Sequence, residues 1–397
     1  MRIRIKRIAT IITMISSMTI CASAQPNNTD ILKVMELAND YFINKYPDAG
    51  APTFVKKERP SNLWTRGVYF EGLWELTEME RQTGGEKYDI YYKYISDWGN
   101  AHKWLPRNGV TTRDADDYCC CQTYIDMGHA SATQECLDNI IAAYNTPWAP
   151  GGNVKSKGSK GDWTWIDAIQ MGLPVFSKMS AVKALQGDAF AMRYADKGWE
   201  MYKYSRDSIA GGLFNKKEGL WWRDADFVPP YKEPNGRNCY WSRGNGWVYA
   251  ALVRAMNTLP NDPHFKEYKK DYIKMTKALV KCQRPDRFWN VSLHDESNYG
   301  GKEMSGTALF IYGMAWGVNN GMLPRAKYEP IIMETWKAIV KDCVHRNGFL
   351  GYVQGTGKEP KDSQPVTYDR QPDFDDYGLG CFLLAGCEIM RMTAYSK

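Results

Sequence analysis

No C-x-x-C pair occurs in this chain, and only five histidines are spread over its 397 residues. A structural zinc site needs closely spaced sulfur or nitrogen ligands, so none is expected. Nine cysteines follow the first 24 residues: Cys119, Cys120, Cys121, Cys136, Cys239, Cys282, Cys343, Cys381 and Cys387. Their odd number and irregular spacing do not read as a disulfide framework. The Cys119–Cys121 run reads as small core residues, with one disulfide left open if the compartment is oxidising. The dinucleotide pattern G-x-G-x-x-G and the Walker pattern are both missing, and no cofactor is expected. Beyond the N-terminus, no apolar run has the length to cross a bilayer without charges, so no membrane insertion is expected.

The first residues look like a processing segment. "MRIRIKR" is basic, "IATIITMISSMTI" is apolar, and Ala22-Ser23-Ala24 offers a small-residue cleavage site before Gln25. This predicts a signal peptide over 1–24, an exported protein (periplasmic or secreted), and a single catalytic domain over 25–397. Cys21 would suit a lipid anchor, but Met18-Thr19-Ile20 before it fits a lipobox poorly. Residues 1–24 hold four basic side chains and no acid, so their removal takes the formal charge from +6 to +2. That near-balance gives no electrostatic footing for nucleic acid. A monomer is expected.

What is abundant is aromatic: 15 Trp and 25 Tyr, suited to packing and to stacking on sugars. Two kinds of segment alternate. Amphipathic stretches rich in Lys and Glu fall near 30–46, 86–104, 131–144, 188–205, 263–283 and 325–345. Between them lie apolar, glycine-containing stretches at 64–80, 116–128, 164–179, 242–256, 304–320 and 376–392. Six exposed helices alternating with six buried ones predict an all-α (α/α)6 barrel of six inner and six outer helices. A two-layer solenoid is the alternative, although no crisp repeat is visible. The connections into the buried segments are long. They are expected to carry short β-pairs and to gather at one mouth, where loops of that length are usually functional.

Polar residues recur where the buried segments begin. "LWTRGVYFEGL" supplies Trp64, Arg66, Tyr69 and Glu71, and "RDADDYCCCQTY" supplies Asp114, Asp116 and Asp117. Acids there also serve as ordinary helix caps. "DWTWIDAIQM" sets Asp167 among tryptophans with no cation one helical turn to either side. Desolvation by Trp163, Trp165 and Met171, with a second carboxylate from Asp116 or Asp117, would raise its pKa as a general acid requires. Backbone amides at the helix start would instead lower it, and the sequence leaves both open. "WSRGNGW" arranges Trp241, Arg243 and Trp247 around two glycines. A planar guanidinium fork for a carboxylate and flat rings for a pyranose together suit a uronic acid.

The segments "WTRGVYFEGL", "DADDYCCCQTY", "WTWIDAIQMGLP", "YWSRGNGWVYAAL", "EMSGTALFIYGMAWG" and "DDYGLGCFLLAG" resemble the unsaturated rhamnogalacturonyl hydrolases, glycoside hydrolase family 105. At greater distance they resemble the unsaturated glucuronyl hydrolases of family 88. The combination of W-x-D-x-x-x-M with W-x-R-G-N-G-W is specific. The resemblance implies an (α/α)6 barrel and metal-free removal of a 4,5-unsaturated uronate from oligosaccharides left by a polysaccharide lyase. It puts the proton donor on Asp167 and the second acid on Asp116, with Asp117 the near alternative. Substrate contacts fall on Trp165, Met171, Trp241, Arg243 and Trp247, and Trp64 and Tyr69 join them as candidates. One departure stands out. Many family members carry histidine after G-L and two aromatics, whereas "GLWWRDADF" has Arg223. A permanent cation there suits extra anionic character in the substrate, or pairs with Asp224 or Asp226. Unsaturated galacturonyl-rhamnose from pectin is the first expectation, with unsaturated glucuronyl substrates behind it. A conventional two-carboxylate glycosidase and a non-catalytic glycan-binding protein are the rivals, because a fold alone does not fix a function.

Overall fold

A computed structural model describes residues 27–54, 58–145 and 163–394. The expected signal peptide, with Cys21 and the Ala24–Gln25 cleavage point, lies outside them, as does Asp162. The helices in chain order are α1 Asn28–Lys45, α2 Trp64–Thr83, α3 Tyr88–Ala101, α4 Ala115–Tyr118, α5 Cys121–Asp126, α6 Ser131–Asn145, α7 Asp167–Leu185, α8 Met192–Asp207, α9 Ser242–Thr258, α10 Phe265–Lys281, α11 Met304–Asn319, α12 Arg325–Cys343 and α13 Asp376–Ala394. No described helix is long and apolar enough to cross a membrane.

Helices α2, α4 with α5, α7, α9, α11 and α13 pack side by side in that order, and α13 returns to α2. That return closes an inner ring and rules out the solenoid. Each remaining helix leans on the ring from outside: α3 on α2, α6 on α5 and α7, α8 on α7, α10 on α9, α12 on α11 and α1 on α13. The fold is the expected (α/α)6 barrel. Burial explains which helix goes where. Every residue of α11 from Met304 to Val318 is buried, whereas α10 buries one stripe through Tyr268, Tyr272, Met275 and Leu279. Closure depends on two glycines. A Cβ on Gly72 would stand 2.5 Å from Gly380 O, and one on Gly380 would stand 2.2 Å from Val68 O. Between the rings, Phe70 of α2 stacks on Trp98 of α3 at 3.8 Å.

The segment expected as one inner helix over 116–128 is broken into α4 and α5 around Cys119 and Cys120. All nine described cysteines are free, and Cys119–Cys121 lie in the core as the sequence suggests. The long connections all run from an outer to an inner helix, so they collect at the N-terminal ends of the inner ring. Two short antiparallel pairs sit in them: β1 Thr53–Phe54 with β2 Glu58–Arg59, and β3 Phe214–Asn215 with β4 Leu220–Trp221.

Candidate active site

The chain entering α7 is fixed by a short bridge. Trp165 pairs antiparallel with Asp224, and Ile166 N donates to Arg223 O at 2.9 Å. This pairing lays the Arg223 side chain beside Asp167. Its Nε donates to Asp167 Oδ2 at 3.2 Å, and its Nη1 donates to Asp224 Oδ2 at 2.6 Å. Asp167 therefore takes from a loop the cation that its own first turns lack. Asp226, the other expected partner of Arg223, pairs with Lys358 at 3.1 Å instead. Burial acts most strongly on Asp167 and raises its pKa. Arg223 and Arg243 oppose it, the helix-start amide adds a smaller pull, and the net direction is up.

Asp116 is the acid expected beside Asp167. It sits on α4 within electrostatic reach of Asp167, and its carboxylate accepts no hydrogen bond from a described residue. Burial, then repulsion from Asp114, Asp167 and Asp117, pushes its pKa up to about 8 against the pull of Arg223. Near neutrality Asp116 therefore keeps its proton, and the carboxyl of Asp167 is shifted in the same direction.

Asp117, one residue on, does a different job. It accepts from Arg107 Nη1 at 2.5 Å, Asn108 Nδ2 at 2.9 Å and Thr112 Oγ1 at 2.7 Å. It clamps the loop before α4, so the carboxylate of this near alternative is already occupied whereas that of Asp116 is not. Asp114 caps α4, accepting from Asp116 N at 3.0 Å. Glu303 caps α11 in the same way, accepting from Gly306 N at 2.7 Å.

Three further expectations change. Arg243 does not offer a free fork, because its Nη1 and Nη2 donate to Gln354 O at 2.6 Å and Gly355 O at 2.8 Å. It is wedged against the rings of Trp241 and Tyr377, so it positions the long loop before α13 and lends only its charge to Asp167. Trp241 and Trp247 are buried and have no open face for a sugar. Trp241 Nε1 donates to Gln354 Oε1 at 2.8 Å, and Trp247 meets the edge of Trp64. Tyr69 is a core residue, packed on Phe42 with its hydroxyl donating to Asn39 Oδ1 at 2.8 Å. Of the expected aromatics, Trp64 and Trp165 remain partly exposed. Met171 is buried one turn along α7 from the acid. Among the described residues, no group of three or more His, Cys, Asp or Glu is placed to hold a metal ion.

The family model of Glycosyl Hydrolase Family 88 matches residues 34–393. The chain belongs to that family. This family 88 glycoside hydrolase is 31% identical over 344 residues to an unsaturated 3S-rhamnoglycuronyl hydrolase of Formosa agariphila, covering 83% of this chain and 84% of that one. A solved structure described as a glycosyl hydrolase family 88 protein from Bacteroides vulgatus superposes with a TM-score of 0.74 at 27% identity, over 92% of this chain and all of the other. Another, described as a polysaccharide lyase, gives a TM-score of 0.77 at 26% identity, over 93% of this chain and 99% of the other.

Two residues of the hydrolase's mouth were not singled out from the sequence. Gln354, fully buried, accepts from Trp241 and donates to the carbonyls of Glu359, Pro360 and Asp362. Tyr377 donates its hydroxyl to Gln354 O. Gln354 lies in an aperiodic loop, and only the folded chain reveals it as the loop's hub. Trp222, half-buried beside Arg223, was legible only as part of an aromatic pair.

Proposed function

We propose that this hydrolase removes a 4,5-unsaturated uronate from the non-reducing end of a lyase-generated oligosaccharide in which the uronate is joined to rhamnose. The observation that carries the reading is the Asp116–Asp167 pair, desolvated and sharing Arg223. In the free site the proton rests on Asp116, which has no direct cation contact, while Arg223 faces Asp167. A uronate carboxylate arriving at Arg223 adds a negative charge beside Asp167, raises its pKa and draws the proton to it. Asp167 then protonates C4 of the enol ether, and positive charge develops at C5 and the ring oxygen. Water adds at C5 while Asp116 or the conjugate Asp167 carboxylate takes its proton. The hemiketal opens, and the hemiacetal left at C1 expels the aglycone as an alcohol. One water is consumed, and a 4-deoxy-5-keto uronate and a free sugar result.

Chemistry narrows the substrate question. Galacturonate and glucuronate differ only at C4, and that centre is planar in the 4,5-unsaturated residue. The pectic and glucuronyl alternatives therefore present the same sugar to Asp167, and specificity lies in the aglycone. The name of the Formosa relative, an unsaturated 3S-rhamnoglycuronyl hydrolase, favours rhamnose there and makes a 3-sulfate the first substituent to test.

The test is near-ultraviolet absorbance, which the conjugated double bond provides and its hydration removes. Lyase digests of rhamnose-containing uronans, sulfated and unsulfated, are incubated with purified residues 25–397. Falling absorbance with release of the rhamnose-bearing end, absent in Asp167→Asn, is expected. Rising absorbance on uncut polymer would mean a lyase, as one structural relative is described. No change on any unsaturated rhamnoside would contradict the proposal, and turnover of saturated glycosides would favour a conventional glycosidase. We also infer export, on the composition of residues 1–24. N-terminal sequencing of the mature protein is expected to begin at Gln25.

A further inference from the structure

The inner ring has a second concave end. A cavity of about 270 Å³ opens among the C-terminal halves of the inner helices, where Glu75, Asp126, Lys178, Arg254 and Tyr312 meet. Lys178 lies eleven residues after Asp167 on α7, which at about 1.5 Å per residue places it roughly 16 Å from the acid. Nothing in the proposed chemistry uses this cavity.

The wall is built with spare hydrogen-bonding capacity. Arg254 is 5% exposed, and its Nε donates to Gln122 Oε1 at 3.0 Å. No described residue accepts from its Nη1 or Nη2, and Arg254 lines the space. The hydroxyl of Tyr312, a residue 6% exposed, also makes no hydrogen bond to a described residue. These groups face the open cavity, so a ligand that enters it finds donors not already committed to the protein.

The charges decide what that is. Lys178 is paired with Asp126, Glu75 with Arg391 at 2.5 Å, and Arg254 lies 3.7 Å from Glu71. Both cations and carboxylates line the space, so an anion would meet Glu75 and Asp126, and a cation would meet Lys178 and Arg254. Hydroxyl groups both donate and accept, and they satisfy each side in turn. The remaining wall, Ile125, Ala181 and Val182, is apolar and suits the C–H edge or methyl group of a sugar ring. We propose that this far end is a second binding site, taking a neutral monosaccharide-sized polyol with one apolar edge.

The experiment is isothermal calorimetry on the full chain with L-rhamnose as the probe and sodium acetate as the anionic comparison. One saturable event with L-rhamnose and a weaker one or none with acetate is expected. Ala181→Trp fills the space from its apolar wall and should abolish the event while leaving the hydrolytic rate unchanged. Tyr312→Phe, which keeps the ring and loses one donor, should weaken binding about fivefold. No saturable binding of L-rhamnose overturns the proposal, as does binding that survives Ala181→Trp, which would locate it elsewhere. Tighter binding of acetate would make this an anion site and also overturn it. None of these outcomes depends on turnover of an unsaturated uronide at the mouth.

Discussion

The inner helices carry buried or half-buried carboxylates at both ends, and the two sets are supplied with cations differently. At the far end, Asp126 of α5 has Lys178 of α7, and Glu75 of α2 has Arg391 of α13. Each pair spans neighbouring helices and holds them. At the mouth, Asp116 has no cation in hydrogen-bond contact, and Asp167 shares Arg223 with Asp224. Burial is the largest influence on all four acids, so burial does not tell them apart. The counter-charge separates the two extremes, while Asp126 and Asp167, each bonded to one cation, are both raised. Glu75 is held below the usual carboxylate range by Arg391, whereas Asp116 is pushed up to about 8. Among these four, the acid with no cation in contact is the one pushed furthest toward neutral pH, the kind of perturbation that marks a candidate functional group.

The largest expected effect is at the mouth. Asp167→Asn should lower kcat/KM by about 10²–10⁴-fold in the absorbance assay, the range a general acid contributes. Arg223→Gln should act mainly on KM, raising it about tenfold through loss of a charge-assisted contact to the substrate carboxylate. It should also move the alkaline limb of the pH–rate profile upward, because Arg223 lowers the pKa of both acids. In the parent enzyme that limb should fall near pH 8, where the pair loses its proton.

Asp116→Asn sharpens the comparison through stability. The folded chain holds the Asp116 proton up to about pH 8, while the unfolded chain releases it near its ordinary value of about 4. The stability tied to that proton is complete below the lower value and is lost as pH rises through the upper one. The asparagine variant, free of this loss, should gain on the parent as pH rises, by roughly 2 °C in Tm at pH 9 relative to pH 5. Asp117→Asn should do the reverse, costing about 1–3 kcal/mol of stability as three donors lose their ionised acceptor. Tyr69→Phe should have the smallest effect, about 1 kcal/mol by denaturant titration with kcat unchanged.

The barrel was legible because its two helix types differ in periodic burial, and each expected segment meets a helix, with 116–128 alone broken in two. The positions of Asp167 and Asp116 at helix starts were legible for the same reason. The wiring between loops was not. Arg243 and Trp241 read as sugar contacts because their chemistry suits sugars, but the carbonyls and side chain that occupy them belong to residues 354 and 355, more than a hundred positions away. Arg223 was found as an oddity of sequence, yet its bond to Asp167 depends on the bridge between Trp165 and Asp224. Asp116 and Asp117 are chemically identical neighbours. Only the folded loop over 107–112 shows which of them is already occupied.

The account rests on a proton passing from the mouth acids to C4. The direct measurement is hydrolysis in deuterium oxide, with the released uronate read early by NMR. A single deuterium at C4, appearing as the near-ultraviolet absorbance falls and absent in Asp167→Asn, is the predicted result. Release of the uronate with its double bond intact and no deuterium at C4 would contradict it.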